Sequence, residues 1–287
     1  MTQRKKYKHK KHVIFYITVL SIILIAVGIF IQIENRRRDI SKINLDAVSA
    51  IVVDKKKDEI LYGKEIDKRV SPGSITKLVS MFVVFDNIKS NSLALTEEVE
   101  VSQNASSTMA SRVGLRPGEK MTVDNLIKCI LIASGSDAML ALAEHISGSE
   151  ERFVELMNKK VTQLGLENTQ FAGCIGLENT NTYSSAYDIA TIVSAITTDY
   201  PQIYEYTKLH SVDIVRQDKS ILSIKNTNDM LSIDGIDGLK TGSTPQSGYN
   251  LAMTYNKKGK SIVFVVLNSK TLYFRKQDCL QLIDVFV

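Results

Sequence analysis

The sequence predicts an α+β fold in which one antiparallel sheet is built from a hairpin near the start of the folded part and a hairpin near its end. Apolar, β-rich runs cluster at both ends, and apolar residues at helical spacing fill the middle. Strands and helices do not alternate, which disfavours a βαβ repeat. We expect the first and last helices to pack on a face of the sheet and the others to form a helical lobe.

The first 45 residues are unlike the rest. Residues 13–33 contain no charged side chain, and 21 residues of helix extend about 31 Å, enough to cross a bilayer. The run does not end in the small residues of a signal-peptide cleavage site, so we expect an uncleaved transmembrane anchor rather than a signal peptide. The basic tail, residues 1–12, outnumbers the arginines after the run, which places the tail in the cytoplasm. A linker, residues 34–45, then leads to an extracytoplasmic domain, residues 46–287.

The charge of the chain is concentrated in that tail. The formal net charge is +5, and residues 1–12 hold six lysines and arginines and no acid, which leaves 5 − 6 = −1 for the remainder. A nucleic-acid-binding protein needs a basic surface on its folded part, so we predict no nucleic-acid partner. The composition is otherwise that of a globular protein.

The elements follow in order along the domain. The first hairpin pairs Ala47–Val53 with Glu59–Tyr62, and the second pairs Tyr249–Tyr255 with Ser261–Leu267, each around a polar turn. Helical spacing is seen in five segments between them, at residues 74–88, 122–133, 137–147, 150–164 and 184–198. A last helix begins at about Arg275.

Ser74 and Lys77 form a Ser-x-x-Lys motif directly after a Pro-Gly turn. We expect Ser74 to open a helix, which places its hydroxyl beside the unpaired amides of the first turn and Lys77 on the same face. A lysine whose pKa is lowered by burial can take the serine proton. The motif is short enough to occur by chance, and alone it fits a helix cap with a solvated lysine equally well.

Ser134 and Ser136 interrupt a long apolar helical stretch. Small polar residues at such a place indicate a turn between two helices. The same break can aim the Ser134 hydroxyl into a cleft that faces Ser74.

Lys240, Thr241 and Gly242 precede the second hairpin, and this triplet is rarer by chance. On an edge strand, the lysine ammonium and the threonine hydroxyl could bind a substrate carboxylate. Gly242 would let a substrate backbone come close.

The three motifs occur in one order, with Ser134 60 residues after Ser74 and Lys240 106 residues after Ser134. This set resembles that of penicillin-binding proteins and class A β-lactamases. The chain resembles the low-molecular-mass D-alanyl-D-alanine carboxypeptidases, serine peptidase family S11, over roughly residues 45–287. The further segments that carry this resemblance are residues 133–138, 183–190 and 237–250. It implies a β-lactamase/transpeptidase-like fold and removal of the terminal D-alanine from peptidoglycan pentapeptides, with inhibition by β-lactam antibiotics.

The resemblance also implies catalytic roles. Ser74 would form the acyl-enzyme, Lys77 would act as general base, and Ser134 would relay a proton to the leaving D-alanine. No metal or other cofactor is implied, and outside the basic tail the histidines form no ligand pair at helical spacing.

Substrate-binding roles are implied for four further residues. Lys240 and Thr241 would hold the terminal carboxylate of the substrate. The backbone amides of Ser74 and Ser243 would form the oxyanion hole. Ser136, the fourth substrate-binding position, stands where the family usually has asparagine, whose amide can donate and accept at longer reach, so its hydrogen bonds to the substrate amide are in question. Many relatives carry a further β-rich domain and a C-terminal amphipathic membrane helix; here we expect the N-terminal helix to provide the anchor.

Three alternatives stay open. Ser136 could mark a catalytically weakened homologue or a sensor. A β-lactamase would share the motifs, but its Glu-x-x-Leu-Asn signature is absent between Ser136 and Lys240. Arg216 or Lys219 could assist in carboxylate binding, or be loop charges in solvent. Among the cysteines, Cys129 is expected to be core, and one disulfide is possible in principle.

Overall fold

The computed structural model describes residues 18–31, 34, 39–177 and 181–287. The chain divides into two compact units, Met1–Asn44 and Leu45–Val287. Of the predicted anchor, residues 18–31 are helical, and residues 13–17, 32 and 33 lie outside the described part, as does the whole basic tail. Within the described ranges, no helix is long and apolar enough to cross a membrane.

The second unit contains strands β1 (Ser49–Asp54), β2 (Glu59–Lys64), β3 (Glu98–Glu100), β4 (Lys120–Thr122), β5 (Ser211–Val215), β6 (Ile221–Lys225), β7 (Ile236–Thr244), β8 (Gly248–Lys257) and β9 (Lys260–Ser269). Five of them form one sheet in the order β2-β1-β9-β8-β7, and every neighbouring pair is antiparallel. The two predicted hairpins therefore join, because β1 pairs with β9 from Ser49↔Leu267 to Asp54↔Ile262. The predicted antiparallel sheet is confirmed, and β7 is one of its edges.

The helices of this unit are α1 (Lys77–Lys89), α2 (Gln103–Ser106), α3 (Val123–Ala133), α4 (Ser136–Ser147), α5 (Glu150–Gln163), α6 (Ala186–Asp199), α7 (Ile203–Thr207) and α8 (Leu272–Phe286). Five begin at a serine or threonine whose side-chain oxygen accepts a backbone N–H of the first turn, at Ser102, Thr122, Ser149, Ser185 and Thr271. These caps satisfy amides that helix geometry leaves unpaired. Helix α1 lies in the centre of the apolar core, with every residue from Lys77 to Phe85 buried.

Several elements were not predicted from the sequence. Strands β3 and β4 are three residues long, too short to show a periodicity. Strands β5 and β6 form a separate hairpin in which outward-facing residues include Val215 and Ile221, so the pattern of apolar residues does not mark one face. Strand β7 carries polar side chains at buried positions. These residues interrupt the run of apolar residues by which a buried strand is predicted from sequence.

Cys129, Cys174 and Cys279 are buried free thiols. Burial raises the pKa of Cys129 and of Cys279 to about 12, which keeps both sulfurs protonated and inert. Cys129 lies in the main apolar core, as predicted.

Candidate active site

Ser74 lies in a single turn of 3-10 helix, Gly73–Thr76, that leads directly into α1. The prediction that Ser74 opens a helix is confirmed, with the difference that its first turn is 3-10 and the α-helical part begins at Lys77. The geometry keeps the two side chains together all the same, since residues three apart are eclipsed in a 3-10 turn. Gly73 has a φ of +54°, a left-handed conformation that glycine adopts without strain.

Lys77 is fully buried, and its Nζ lies 3.0 Å from Ser74 Oγ and 2.9 Å from the carbonyl oxygen of Ile175. Burial lowers the pKa of Lys77 to about 7, with Cys174 and Asp137 acting weakly in the opposite direction. Near neutral pH much of this lysine is therefore an uncharged amine with a lone pair, directly beside a partly exposed hydroxyl.

The segment that supplies the Ile175 carbonyl is held in place from both sides. Ser80 Oγ donates to Cys174 O at 2.6 Å, and Cys174 N donates to Glu150 Oε1 at 2.9 Å. Gly176, which follows Ile175, has a φ of +80°, and a Cβ there would lie 2.0 Å from Gly73 O. Only glycine fits this contact. Sequence reasoning missed Ile175, because a backbone carbonyl leaves no signal in residue type.

The second motif forms the predicted turn between two helices. Ser134 adopts a left-handed conformation (φ 61°, ψ 26°) at the end of α3, and α4 begins at Ser136. Next in the chain, the Asp137 carboxylate is fully buried and accepts hydrogen bonds from the amides of Val113, Gly114 and Leu115. That carboxylate anchors the loop before β4 against the turn.

Ser134 and Ser136 are placed differently from each other. Ser134 is 6% exposed, and no hydrogen bond joins its Oγ to Lys77 or Ser74 within the described residues. Ser136 has no exposed surface, and in the described part of the chain its Oγ has no hydrogen-bond partner. The substrate-binding role that the resemblance implies for Ser136 stays a prediction.

The third motif lies on β7, which is an edge strand of the sheet. Lys240 is buried and its Nζ donates to Thr241 O at 3.0 Å. Burial, reinforced by the nearby Lys77, holds the pKa of Lys240 well below its usual value. Thr241 Oγ1 lies 2.6 Å from Thr227 Oγ1.

Gly242 makes a close backbone contact within the protein. A Cβ on Gly242 would lie 2.8 Å from Pro72 O and 3.0 Å from Ser74 N. The glycine therefore lets the edge strand approach the backbone of the serine turn, and its approach to a substrate backbone stays a prediction. The same contact brings Ser243 next to the turn, since Ser243 N lies 3.5 Å from an ideal Cβ on Gly73.

Arg216 is not free to bind a substrate carboxylate. Its guanidinium donates to Glu119 Oε1 and Oε2 at 2.9 and 2.7 Å and to Gly114 O at 2.9 Å. Both members of this ion pair are about nine-tenths buried. The pair ties β5 to the loop that Asp137 anchors. Lys219, with a φ of +65°, lies in the turn between β5 and β6.

Two further segments singled out in the sequence, residues 237–250 and 183–190, form hydrogen bonds that hold the backbone in place. Ser247 Oγ accepts Thr244 N at 2.9 Å and closes the turn between β7 and β8, and Asn250 Nδ2 donates to Pro72 O at 3.3 Å. Ser185 caps α6, and Asp188 accepts from the amide of Asn168. These residues shape the backbone around the site.

The described residues thus bring a serine hydroxyl, a buried amine and two neighbouring backbone amides to one place. This set can activate a nucleophile and stabilise an oxyanion, which are the requirements of acyl transfer. Within the described ranges, no group of three or more His, Cys, Asp or Glu side chains is arranged to hold a metal ion.

Comparison with known proteins gives a consistent result. Residues 36–271 match the family model of peptidase S11, D-alanyl-D-alanine carboxypeptidase. The chain is 36% identical over 247 residues to the D-alanyl-D-alanine carboxypeptidase DacF of Bacillus subtilis, an alignment that covers 85% of this chain and 63% of DacF. It is 33% identical over 238 residues to DacC of Escherichia coli, covering 79% of this chain and 58% of DacC.

Solved structures share the fold. The carboxypeptidase DacD from Francisella tularensis superposes with a TM-score of 0.81 at 26% identity, over 85% of this chain and 70% of that one. Penicillin binding protein 5 from Haemophilus influenzae superposes with a TM-score of 0.78 at 32% identity, over 84% and 70%. The α+β architecture is thus the transpeptidase/β-lactamase-like fold.

The chain spans about three fifths of the length of the curated relatives described above, 63% of DacF and 58% of DacC. The match to the family model nevertheless extends over residues 36–271, well over half of the chain. It includes all three motifs of the site. The chain therefore belongs to the D-alanyl-D-alanine carboxypeptidase family, peptidase S11.

Proposed function

We propose that this protein is a serine-type D-alanyl-D-alanine carboxypeptidase that removes the terminal D-alanine from peptidoglycan stem pentapeptides and is inhibited by β-lactams. The observation that carries the proposal is the 3.0 Å approach of the fully buried Lys77 Nζ to Ser74 Oγ. The names of the relatives support the choice of substrate.

Acylation begins when the uncharged amine of Lys77 takes the proton of Ser74, whose oxygen attacks the carbonyl carbon of the D-Ala-D-Ala bond. The developing oxyanion is stabilised by the amides of Ser74 and Ser243, each worth about 3–4 kcal/mol by comparison with other acyl-transfer sites. The C–N bond then breaks, and Ser134 relays to the leaving amine of D-alanine the proton that Lys77 took from Ser74, which leaves Lys77 uncharged again. Water attacks the resulting ester, which releases the shortened peptide and restores Ser74.

Lys240 and Thr241 hold the carboxylate of the terminal D-alanine in this proposal. A carboxylate bound beside a buried lysine raises the pKa of that lysine, because the opposite charge favours the protonated form. We therefore infer that substrate binding is accompanied by protonation of Lys240. Ser136 is fully buried and its hydroxyl has no hydrogen-bond partner among the described residues, so we assign it no contact with the peptide.

The proposed placement in the cell follows from the sequence. Residues 13–33 anchor the protein by a single pass in the cell membrane, residues 1–12 lie in the cytoplasm, and residues 34–45 link the anchor to the extracytoplasmic domain of residues 46–287. The support is the uncharged run itself and the excess of positive charge before it.

The proposal is tested by intact-mass analysis of the full chain after brief incubation with benzylpenicillin, alongside release of D-alanine from a Lys-D-Ala-D-Ala peptide. We expect a long-lived adduct on Ser74 and D-alanine release, both absent in Ser74→Ala. Ser90→Ala, at an exposed position after α1, is the control that keeps both. A folded wild-type protein that forms no adduct would refute the proposal. An adduct that disappears within seconds while penicillin is consumed would indicate a β-lactamase instead.

A further inference from the structure

Thr227 contacts both the helix that leads into the second motif and the strand that carries the third motif. It lies between β6 and β7, and its side chain is exposed. Its backbone N–H donates to Ile132 O at 3.1 Å, in the last turn of α3 before Ser134. Its hydroxyl oxygen lies 2.6 Å from that of Thr241. The residue therefore spans the gap between the helical lobe and the edge strand.

The loop that carries Thr227 is held firmly by the residues on either side. Asn226 Nδ2 donates to the carbonyls of Thr207 and Leu209 at 3.1 and 2.9 Å. Asn228 N donates back to Asn226 Oδ1 at 2.9 Å. Because these bonds and the Ile132 contact use no atom of the Thr227 side chain, the loop does not depend on the Thr227 hydroxyl for its conformation.

The hydroxyls of Thr227 and Thr241 together have one proton that their mutual hydrogen bond does not use. Each hydroxyl has one proton and can accept at its oxygen. In the free site one proton lies between Thr227 Oγ1 and Thr241 Oγ1, and the other is free to point outward. A carboxylate has two oxygens and can accept from both hydroxyls once they rotate.

The charge around the pair favours the same ligand. Lys240, the neighbour of Thr241, is buried, and in the proposed function it becomes charged beneath the carboxylate when the substrate binds. The Arg216 guanidinium is occupied by Glu119. Contacts to the carboxylate from the exposed side of the site therefore come from hydroxyl groups.

We propose that Thr227 is a substrate-binding residue that, paired with Thr241, donates a hydrogen bond to the terminal carboxylate of the substrate. The inference rests on the proposed function and specifies how that site selects a peptide with a free carboxyl end. The threonine pair would distinguish a terminal carboxylate from an amide or ester, which lacks the second anionic oxygen.

The test compares acylation of the full chain by benzylpenicillin, which carries a carboxylate, with acylation by benzylpenicillin methyl ester, which does not. Thr227→Val removes the hydroxyl and keeps the shape of the side chain. We expect it to slow acylation by benzylpenicillin about 10- to 100-fold, the effect of losing one hydrogen bond to a charged group, and to leave the rate with the methyl ester unchanged. Thr227→Ser should restore the wild-type rate.

Thr198→Val, an exposed position in α6, is the matched control and should change neither rate. Equal slowing with both penicillins would show a structural effect and overturn the inference, as would no slowing with either. Acylation of wild type by benzylpenicillin without any release of D-alanine would refute carboxypeptidase activity alone, and the penicillin pair would still decide the role of Thr227. A wild-type protein that reacts with neither penicillin would overturn both proposals.

Discussion

Gly242 and Ser74, 168 residues apart in the chain, meet so closely that a Cβ on Gly242 would lie 3.0 Å from the amide nitrogen of Ser74. The edge strand and the serine turn are thus pressed backbone to backbone. This contact fixes the amide of Ser243 relative to that of Ser74. The proposed oxyanion hole therefore depends on the absence of a side chain at Gly242.

We expect Gly242→Ala to slow acylation by benzylpenicillin at least about tenfold and to destabilise the fold by about 1–3 kcal/mol, because backbone atoms must move to admit the methyl group. Gly63→Ala in the opposite edge strand β2 is the matched control, since its Cβ would meet only the side chain of Ile66 at 3.0 Å. Acylation rates and urea denaturation measure both effects. An acylation rate in Gly242→Ala equal to that of the control would contradict the account.

The pH dependence of acylation should report Lys77, whose pKa burial lowers to about 7. The uncharged amine is the active form, so kcat/KM for peptide hydrolysis should rise as the pH increases through about 7. Lys77→Arg keeps a permanent charge and should lose about 10²- to 10⁴-fold in rate, together with the rise. A wild-type profile that is flat from pH 5 to pH 8 would exclude Lys77 as the base.

The lowered pKa of Lys77 should also make the free energy of unfolding depend on pH. The folded pKa of Lys77 lies below its ordinary value of 10.5, so between about pH 7 and pH 10.5 the unfolded chain binds more protons than the folded one. The free energy of unfolding of wild type relative to Lys77→Met should therefore increase with pH in this window, by up to about 1.4 kcal/mol per pH unit. Urea denaturation of both proteins at pH 7, 8.5 and 10 gives the difference, and a constant difference would show that the pKa is not lowered.

Ser136→Ala should be nearly silent. The Ser136 hydroxyl is buried and forms no hydrogen bond within the described residues, so its removal should change the free energy of unfolding by less than about 1 kcal/mol. D-alanine release should also stay near the wild-type rate. Ser134→Ala is the informative partner, because loss of the proposed proton relay should slow release about 100-fold or more. A severe loss of activity in Ser136→Ala would show that Ser136 does contact the substrate.

Asp137→Asn should loosen the loop next to the site. The carboxylate accepts from the amides of Val113, Gly114 and Leu115, and the NH₂ of asparagine would face these donors with another donor. We expect a loss of about 2–4 kcal/mol in stability and faster hydrogen exchange of these amides. Asp213→Asn, at an exposed position in β5, should change neither quantity. Unchanged exchange at residues 113–115 in Asp137→Asn would contradict the anchoring role.

Much of the fold could be read from the sequence because local patterns carry it. The apolar runs around two polar turns identified the hairpins that now pair as β1–β2 and β8–β9. The interruption at residues 134–136 marked a turn that Ser134 indeed makes in a left-handed conformation. Strand β7 escaped prediction as an element because its buried positions include Lys240 and Thr241, whose polarity breaks the apolar pattern.

The sequence by itself determined which residue types form the site and the order in which they occur, since Ser74, Lys77, Ser134 and the Lys240 triplet are recognisable without coordinates. Only the tertiary structure decided what surrounds them. The lowered pKa of Lys77 arises from burial beneath residues far away in the chain, and the carbonyl of Ile175 has no signature in residue type. The occupation of Arg216 by Glu119 and the meeting of Thr227 with Thr241 are likewise contacts across long sequence separations. Burial and long-range contact depend on how the whole chain packs, and no local stretch of sequence encodes either.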